Sequence, residues 1–271
     1  MEQSVTDNIG IAQATIRRWR EDPAAMVREE FGCEPDRWQK KTLKAFADPS
    51  KQRMALKASK GPGKTTVLAW CIWNFMACYA SKGSHPKGAA TGITEANIDD
   101  NLWPELAKWQ GRSKFFSAAF VWTKSRVFAK DHAETWFFSK RTWPKSGDTT
   151  QQADTLAGLH ADYVLFVLDE SGGIPGSVMA AAEGGLATGK WCKILQAGNP
   201  THLEGPLYDA SVTHRDMWWV LEISGDPDDP DRAPRVNLQW AKDQIKLYGR
   251  DNPWVLVNVF GQFPPSSINS I

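Results

Sequence analysis

The stretch ALKASKGPGKTT, residues 55–66, decides the fold. RMALKAS over 53–59 reads as a short strand, and it runs into a turn built on Gly61-Pro62-Gly63. A strongly apolar segment, Lys64 to Tyr79, begins at once and predicts a helix. Strand, glycine turn and helix N-terminus in this order are the context that a phosphate-binding loop needs. Glycine lets backbone N–H groups turn inward and approach phosphate oxygens. The helix N-terminus adds its partial positive charge. In such a loop Ser59, Lys60, Gly61, Pro62, Gly63 and Thr66 wrap the phosphates of ATP. Lys64 bridges the β- and γ-phosphates, and the Thr65 hydroxyl holds Mg²⁺. The full pattern is G-x-x-x-x-G-K-[ST], and Ala58 stands here in place of its first glycine.

Downstream, YVLFVLDE (163–170) is a continuous apolar run ending in two acids, the pattern of a central parallel strand. Ligands of open α/β sheets bind at the C-terminal edge of such strands. Asp169 is placed to orient Mg²⁺, and Glu170 to polarise an attacking water as general base, an effect of about 10²–10⁴ in rate. A glutamate directly after the aspartate argues for hydrolysis, since nucleotide kinases need no water-activating acid there. The next apolar strand, WCKILQAGNP (191–200), ends in Asn199, an amide that could sense the γ-phosphate. Alone, Asn199-Pro200 is a common turn; behind the two preceding motifs the sensor is preferred. Upstream, DRWQKKTL (36–43) offers Gln39 to an adenine edge with Trp38 nearby, although from the residues alone a surface helix with a buried tryptophan is the better reading.

The remaining pattern alternates helices with buried strands. Helices are expected at Ile9 to Arg20, Asp36 to Phe46, Glu95 to Trp109, Pro175 to Leu186, Asn237 to Tyr248 and Pro253 to Val259. Strands are expected at 87–93 and 217–223, with strands or a hairpin over 115–145. This predicts an α/β domain with a mostly parallel sheet. The 271 residues are 42% hydrophobic and 23% charged, which excludes a disordered chain. A net charge of +1 argues against a histone-like or repressor-like binder. The basic residues Lys108, Arg112, Lys114, Lys124 and Arg126 could face DNA, and a solvated face explains them equally well. Fourteen tryptophans are read mainly as core payload. The four cysteines, at 33, 71, 78 and 192, have no metal-ligand spacing and fit a reducing compartment. No signal peptide is read at the N-terminus, and no apolar stretch is long enough to span a membrane. Asp226, Asp228, Asp229 and Asp231, interrupted by prolines, read as a solvated loop rather than a two-metal nuclease site.

Taken in order, these pieces resemble the N-terminal ATPase domain of tailed-phage terminase large subunits over roughly residues 30–265. The resemblance rests on Trp38-Gln39, on a deviant phosphate loop with Lys60 inside it, and on ATGITEANIDDNLWPEL (90–106). LFVLDES (165–171) and GNPTHLEGPLYD (198–209) complete it. It implies a P-loop NTPase of the RecA-like type with a small lid subdomain. The division is an N-terminal helical segment with the adenine motif at 1–50, an ATPase core at 51–209, a lid at 210–262 and the start of a linker at 263–271. It further implies a homo-oligomeric ring on the capsid portal, double-stranded DNA threaded through it, a small terminase subunit as partner, and action in the host cytoplasm. Asn199 would couple hydrolysis to movement. The family's C-terminal nuclease is expected to be missing, because the sequence stops at GQFPPSSINSI. The family's arginine before the second motif has no counterpart in TLAGLHADY (155–163), leaving Arg126 and Arg141 as positional candidates. The competing readings are a helicase-like oligomeric DNA-dependent ATPase and a nucleotide-gated scaffold with little turnover.

Overall fold

The computed structural model describes residues 2–143, 156, 158–187 and 189–265. The expected strands over 115–145 reach past the described residues at 144–145, and so does the expected linker at 266–271. Three helices precede the first strand: α1 (Glu2–Glu21), α2 (Pro23–Phe31) and α3 (Arg37–Ala47). Pro23 opens α2, in the first turn where no N–H is needed, with the Asp22 side chain accepting from the Ala24 N–H.

The chain continues through β1 (Arg53–Ala58), α4 (Lys64–Cys78), β2 (Lys87–Thr91), α5 (Glu95–Asp100) and α6 (Leu102–Arg112). The single helix expected over 95–109 divides at Asn101, whose side chain donates to the Asn97 carbonyl at 2.8 Å and competes with the helical ladder. Residues 115–119, expected as strand, belong to α7 (Lys114–Ala119), because the Ser113 hydroxyl accepts from the Phe116 N–H and caps a helix start. Then follow β3 (Phe120–Trp122), β4 (Arg126–Ala129), β5 (Phe137–Lys140), β6 (Tyr163–Asp169), α8 (Gly176–Gly185), β7 (Trp191–Gly198), β8 (Trp219–Ile223) and α9 (Leu238–Tyr248). Pro253–Val255 begins the last expected helix, which widens into a π-turn over Leu256–Phe260.

The eight strands form one sheet in the order β3-β4-β5-β2-β6-β7-β1-β8. From β5 to β8 every pairing is parallel, and β3 and β4 add an antiparallel edge. Every residue of β6 and β7 is buried, as helices on both faces of a parallel sheet require. The helix α4 lacks a polar face because it is enclosed between the sheet and α1 and α6, which leaves Trp70 and Trp73 fully buried.

One boundary needs correction. The expected lid at 210–262 includes β8, yet β8 hydrogen-bonds to β1 as the edge of the core sheet. The acidic loop is engaged in ion pairs. Arg250 bridges Asp226 at 2.5 Å and Asp228 at 2.8 Å, and Arg37 pairs with Asp231. The thiols of Cys33, Cys71, Cys78 and Cys192 are free. Among the described residues, no helix is long and apolar enough to cross a membrane.

Candidate nucleotide site

The parallel register brings the ends of β1, β6 and β7 to one edge of the sheet, with Asp169 opposite Ala197 and Lys57 opposite Gly198. The loop after β1 turns at Gly61 and Gly63, whose φ values of 77° and 100° favour glycine. Space is also tight at 63: a Cβ there would lie 3.3 Å from Arg235 Cδ and 3.4 Å from Gln39 Nε2. The helix α4 begins at Lys64 and aims its N-terminus at this loop.

Lys64 is 6% exposed. Its ammonium donates to Asn199 Oδ1 at 2.9 Å and, weakly, to the Ser59 carbonyl at 3.4 Å. Asn199 Nδ2 donates in turn to the Ala58 carbonyl at 3.0 Å. The amide therefore ties the lysine to the end of β1. Burial lowers the Lys64 pKa, and the charges of Glu170 and Asp169 oppose that shift.

Asp169 ends β6 and is 1% exposed. Its Oδ1 accepts from the Glu170 N–H at 3.0 Å, whereas its buried Oδ2 has no partner. Burial, and next the neighbouring Glu170, push its carboxyl up to about 7; Lys64 and the Thr65 hydroxyl offset only part of this. An orphaned oxygen on a carboxylate that also interacts with the Thr65 hydroxyl is part of an oxygen donor set that suits a hard cation such as Mg²⁺ when phosphates supply further ligands. No cluster of three or more His, Cys, Asp or Glu able to hold a metal by itself occurs among the described residues.

Glu170 is the one non-glycine residue of positive φ among those described (φ 54°, ψ 42°). Such a backbone costs of order 1–3 kcal/mol and persists where the surroundings enforce it. The turn after Glu170 runs against the tip of β7, where a Cβ on Gly172 would meet the Asn199 carbonyl at 2.2 Å.

Gln39 is fully buried. Its Oε1 accepts from the Asp36 N–H at 2.8 Å, and its Nε2, against Gly63, has no partner. The amide thus has a free donor beside the loop, the polarity a purine ring nitrogen takes. Trp38 is packed in the core under α3. The Ser59 hydroxyl is buried without a partner. The backbone N–H groups of Ser59 and Lys60 are already committed, to the carbonyls of Ile223 and Asn258, both at 2.8 Å. Those two residues can therefore offer a phosphate only their side chains in this conformation.

A cleft of about 600 Å³ opens over Gly61 to Thr66 and Glu170, with Glu105 and Lys108 of α6 as its far wall. Of the basic stretch, Arg112 stacks on Trp109, and Arg126 lies over Phe128 and Phe137. Neither Arg126 nor Arg141 lines the cleft. Sequence reasoning missed Glu105, the cleft-facing role of Lys108, Arg235 and the Asn258 carbonyl. Only Glu105 and Lys108 carried a legible signal, the polar stripe Asn101, Glu105, Lys108 opposite the apolar Leu102, Trp103, Leu106 and Trp109.

No protein-family profile matches the chain. A protein of Enterobacteria phage P7 named "Probable terminase, large subunit" is 29% identical over 164 residues, which are 57% of this chain and 31% of that protein. The large terminase of a thermophilic bacteriophage, solved in complex with ADP, matches with a TM-score of 0.59 at 15% identity, over 85% of this chain and 54% of that one. The large terminase ATPase domain of Thermus phage P74-26 matches with a TM-score of 0.59 at 16% identity, over 89% of this chain and 99% of that one. The chain thus has the fold of phage large-terminase ATPase domains, while spanning about a third of the length of the curated relative that it matches.

Proposed function

We propose that this chain is the ATP-hydrolysing motor domain of a tailed-phage large terminase, which drives double-stranded DNA into a procapsid. One observation carries the reading. Lys64, Asn199, Asp169 and Glu170, from three separate strand ends, converge on a single glycine loop at a helix N-terminus. Likeness to large terminases, one of them solved with ADP, supports it.

ATP lies with its phosphates along the loop from Lys60 to Thr65, and its adenine edge takes the free Nε2 of Gln39. Thr65 and Asp169 would hold Mg²⁺, which when bound offsets the negative charge of the phosphate chain. Glu170, at the cleft, accepts a proton from the attacking water. The phosphates draw the Lys64 ammonium away from Asn199, and departure of the γ-phosphate returns it. Asn199, tied to the Ala58 carbonyl, passes that change to β1. The segment after β8 serves as the lid. It is joined to the loop through the Asn258 carbonyl, which accepts from the Lys60 N–H at 2.8 Å, so a shift of the loop moves it. The site is completed by a neighbouring copy in a ring on the portal protein, with the small terminase subunit as a further partner, in the host cytoplasm.

The test is steady-state ATP hydrolysis against protein concentration, with and without DNA, beside Lys64→Ala and Glu170→Ala. Activity rising more than linearly with protein and lost in both variants is expected. ATP binding without any turnover under every condition would replace the motor with a nucleotide-gated scaffold. No ATP binding would overturn the whole reading.

A further inference from the structure

Helix α6 is two-faced. Leu102, Trp103, Leu106 and Trp109 are buried in the core, while Asn101, Glu105 and Lys108 line the cleft over the phosphate loop. Glu105 is held firmly. Its Oε1 accepts from Thr66 Oγ1 and Trp109 Nε1, both at 2.7 Å. Lys108 Nζ adds bonds of 3.0 and 3.1 Å to the two carboxylate oxygens. The three donors differ in freedom. Thr66 and Trp109 are fixed by α4 and the core, whereas the Lys108 side chain is 47% exposed on a flexible stem. If Lys108 leaves, the carboxylate keeps two hydrogen bonds. If it stays, the ammonium still has one donor to spare, since it carries three and spends two on Glu105.

We propose that Lys108 is a second phosphate-binding cation, supplied by the same chain and held on Glu105 within reach of a polyphosphate in the cleft. The inference rests on the nucleotide reading given above and adds to it a residue outside the loop. Placement distinguishes it from an ordinary ion pair on a solvated helix. The cleft that Lys108 lines is walled on its other side by Gly61 to Thr66 and Glu170. The pedestal that holds it is also hydrogen-bonded to the loop's own Thr66. A polyphosphate entering the cleft meets Lys64 at its floor and Lys108 at its wall. Lys108 is thereby removed from the set of DNA-facing candidates.

The experiment measures equilibrium binding of ATP and of inorganic tripolyphosphate, each with Mg²⁺. The proteins are the wild type, Lys108→Ala, Lys108→Arg, Glu105→Gln and Lys64→Ala, with a thermal melt of each. Lys108→Ala should weaken both ligands together, by roughly tenfold or more as expected for a lost charged hydrogen bond. Its melting temperature should stay unchanged, and Lys108→Arg should recover most of the loss. Glu105→Gln loosens that hold on Lys108 and should bind tripolyphosphate at least as tightly as the wild type. The proposal is overturned if Lys108→Ala binds tripolyphosphate like the wild type. It is also overturned if only ATP weakens, or if Glu105→Gln loses as much as Lys108→Ala, which would mean that the pair merely holds the helix. A wild type that binds neither ligand, or a Lys64→Ala that binds both normally, would sink the nucleotide reading itself and this inference with it.

Discussion

Two of the buried lysines lie at opposite ends of the sheet, and they are held in different ways. Lys193, at the start of β7, is fully buried and donates to three carbonyls at the end of α3: Ala45 at 3.3 Å, Phe46 at 2.7 Å and Asp48 at 2.9 Å. Its ammonium also lies against the rings of Phe46 and Trp191. Every valence is filled by backbone that cannot leave, and the C-terminal carbonyls of α3, which α3 itself cannot satisfy, are filled in return. Lys64, at the other edge, holds one side-chain amide and one distant carbonyl. Around it lie unpartnered polar atoms, Asp169 Oδ2, Ser59 Oγ and Gln39 Nε2, and the strained backbone of Glu170. Native interiors rarely leave such groups unmatched, so a concentration of them marks the place where a ligand completes the structure. The difference teaches that burial of a cation alone does not identify function; the unfilled bonds beside it do.

The contrast breaks most visibly if both lysines are replaced by methionine. Lys64→Met should cut turnover by about 10²–10³, as removal of a preorganised charged donor does. Its unfolding free energy should change by less than about 1 kcal/mol, because an incompletely paired buried charge adds little stability. Turnover assays and urea denaturation measure the two, and a loss of stability equal to that of Lys193→Met would erase the distinction. Lys193→Met should leave nucleotide affinity intact yet lower the unfolding free energy by about 1–3 kcal/mol, since it leaves the buried Phe46 carbonyl without its donor and takes one of two donors from the Ala45 and Asp48 carbonyls.

That second variant also has a pH signature. Burial pushes the folded-state pKa of Lys193 down to about 7. The unfolded value is about 10.4, so between the two the unfolded chain binds a proton that the folded chain does not. The contribution of Lys193 to stability therefore rises as pH increases through this window and is flat below it. Denaturation midpoints at about pH 6 and about pH 9.5 should differ more in the wild type than in Lys193→Met. Parallel profiles would show that the lysine keeps its proton throughout.

Gln39→Ala sharpens the picture on the base side. It should weaken ATP by up to about tenfold, the worth of one neutral hydrogen bond, and leave tripolyphosphate binding unchanged. Equal loss of both ligands would move Gln39 from the base to the shape of the loop. The smallest change in stability is sought in Glu170→Gly, which releases the left-handed backbone and should raise the unfolding free energy by up to about 1 kcal/mol, although turnover falls by about 10²–10⁴ with the loss of the base. A destabilised variant would mean that the Glu170 side chain holds the turn.

The sheet's central strands and the two acidic and basic motifs were legible because their signals are contiguous. A buried strand, a glycine turn and a helix start occupy residues 53–66 without interruption, and the run into Asp169 and Glu170 is equally local. The division of the helix at Asn101 and the helical start of α7 were not legible from periodicity, since single polar side chains, Asn101 and Ser113, decide them by bonding to backbone.

By itself, then, the sequence determined an α/β sheet, a glycine turn between a strand and a helix that starts at Lys64, and a carboxylate pair at the end of a later strand. The tertiary structure alone decided that Asn199 grips Lys64, that Gln39 presses on Gly63, that Asn258 caps Lys60 and that Lys108 looks into the cleft. Local pattern reports which residues share one face of one element. Strand order, with β7 lying between β6 and β1, reports which elements meet, and periodicity contains no record of that order.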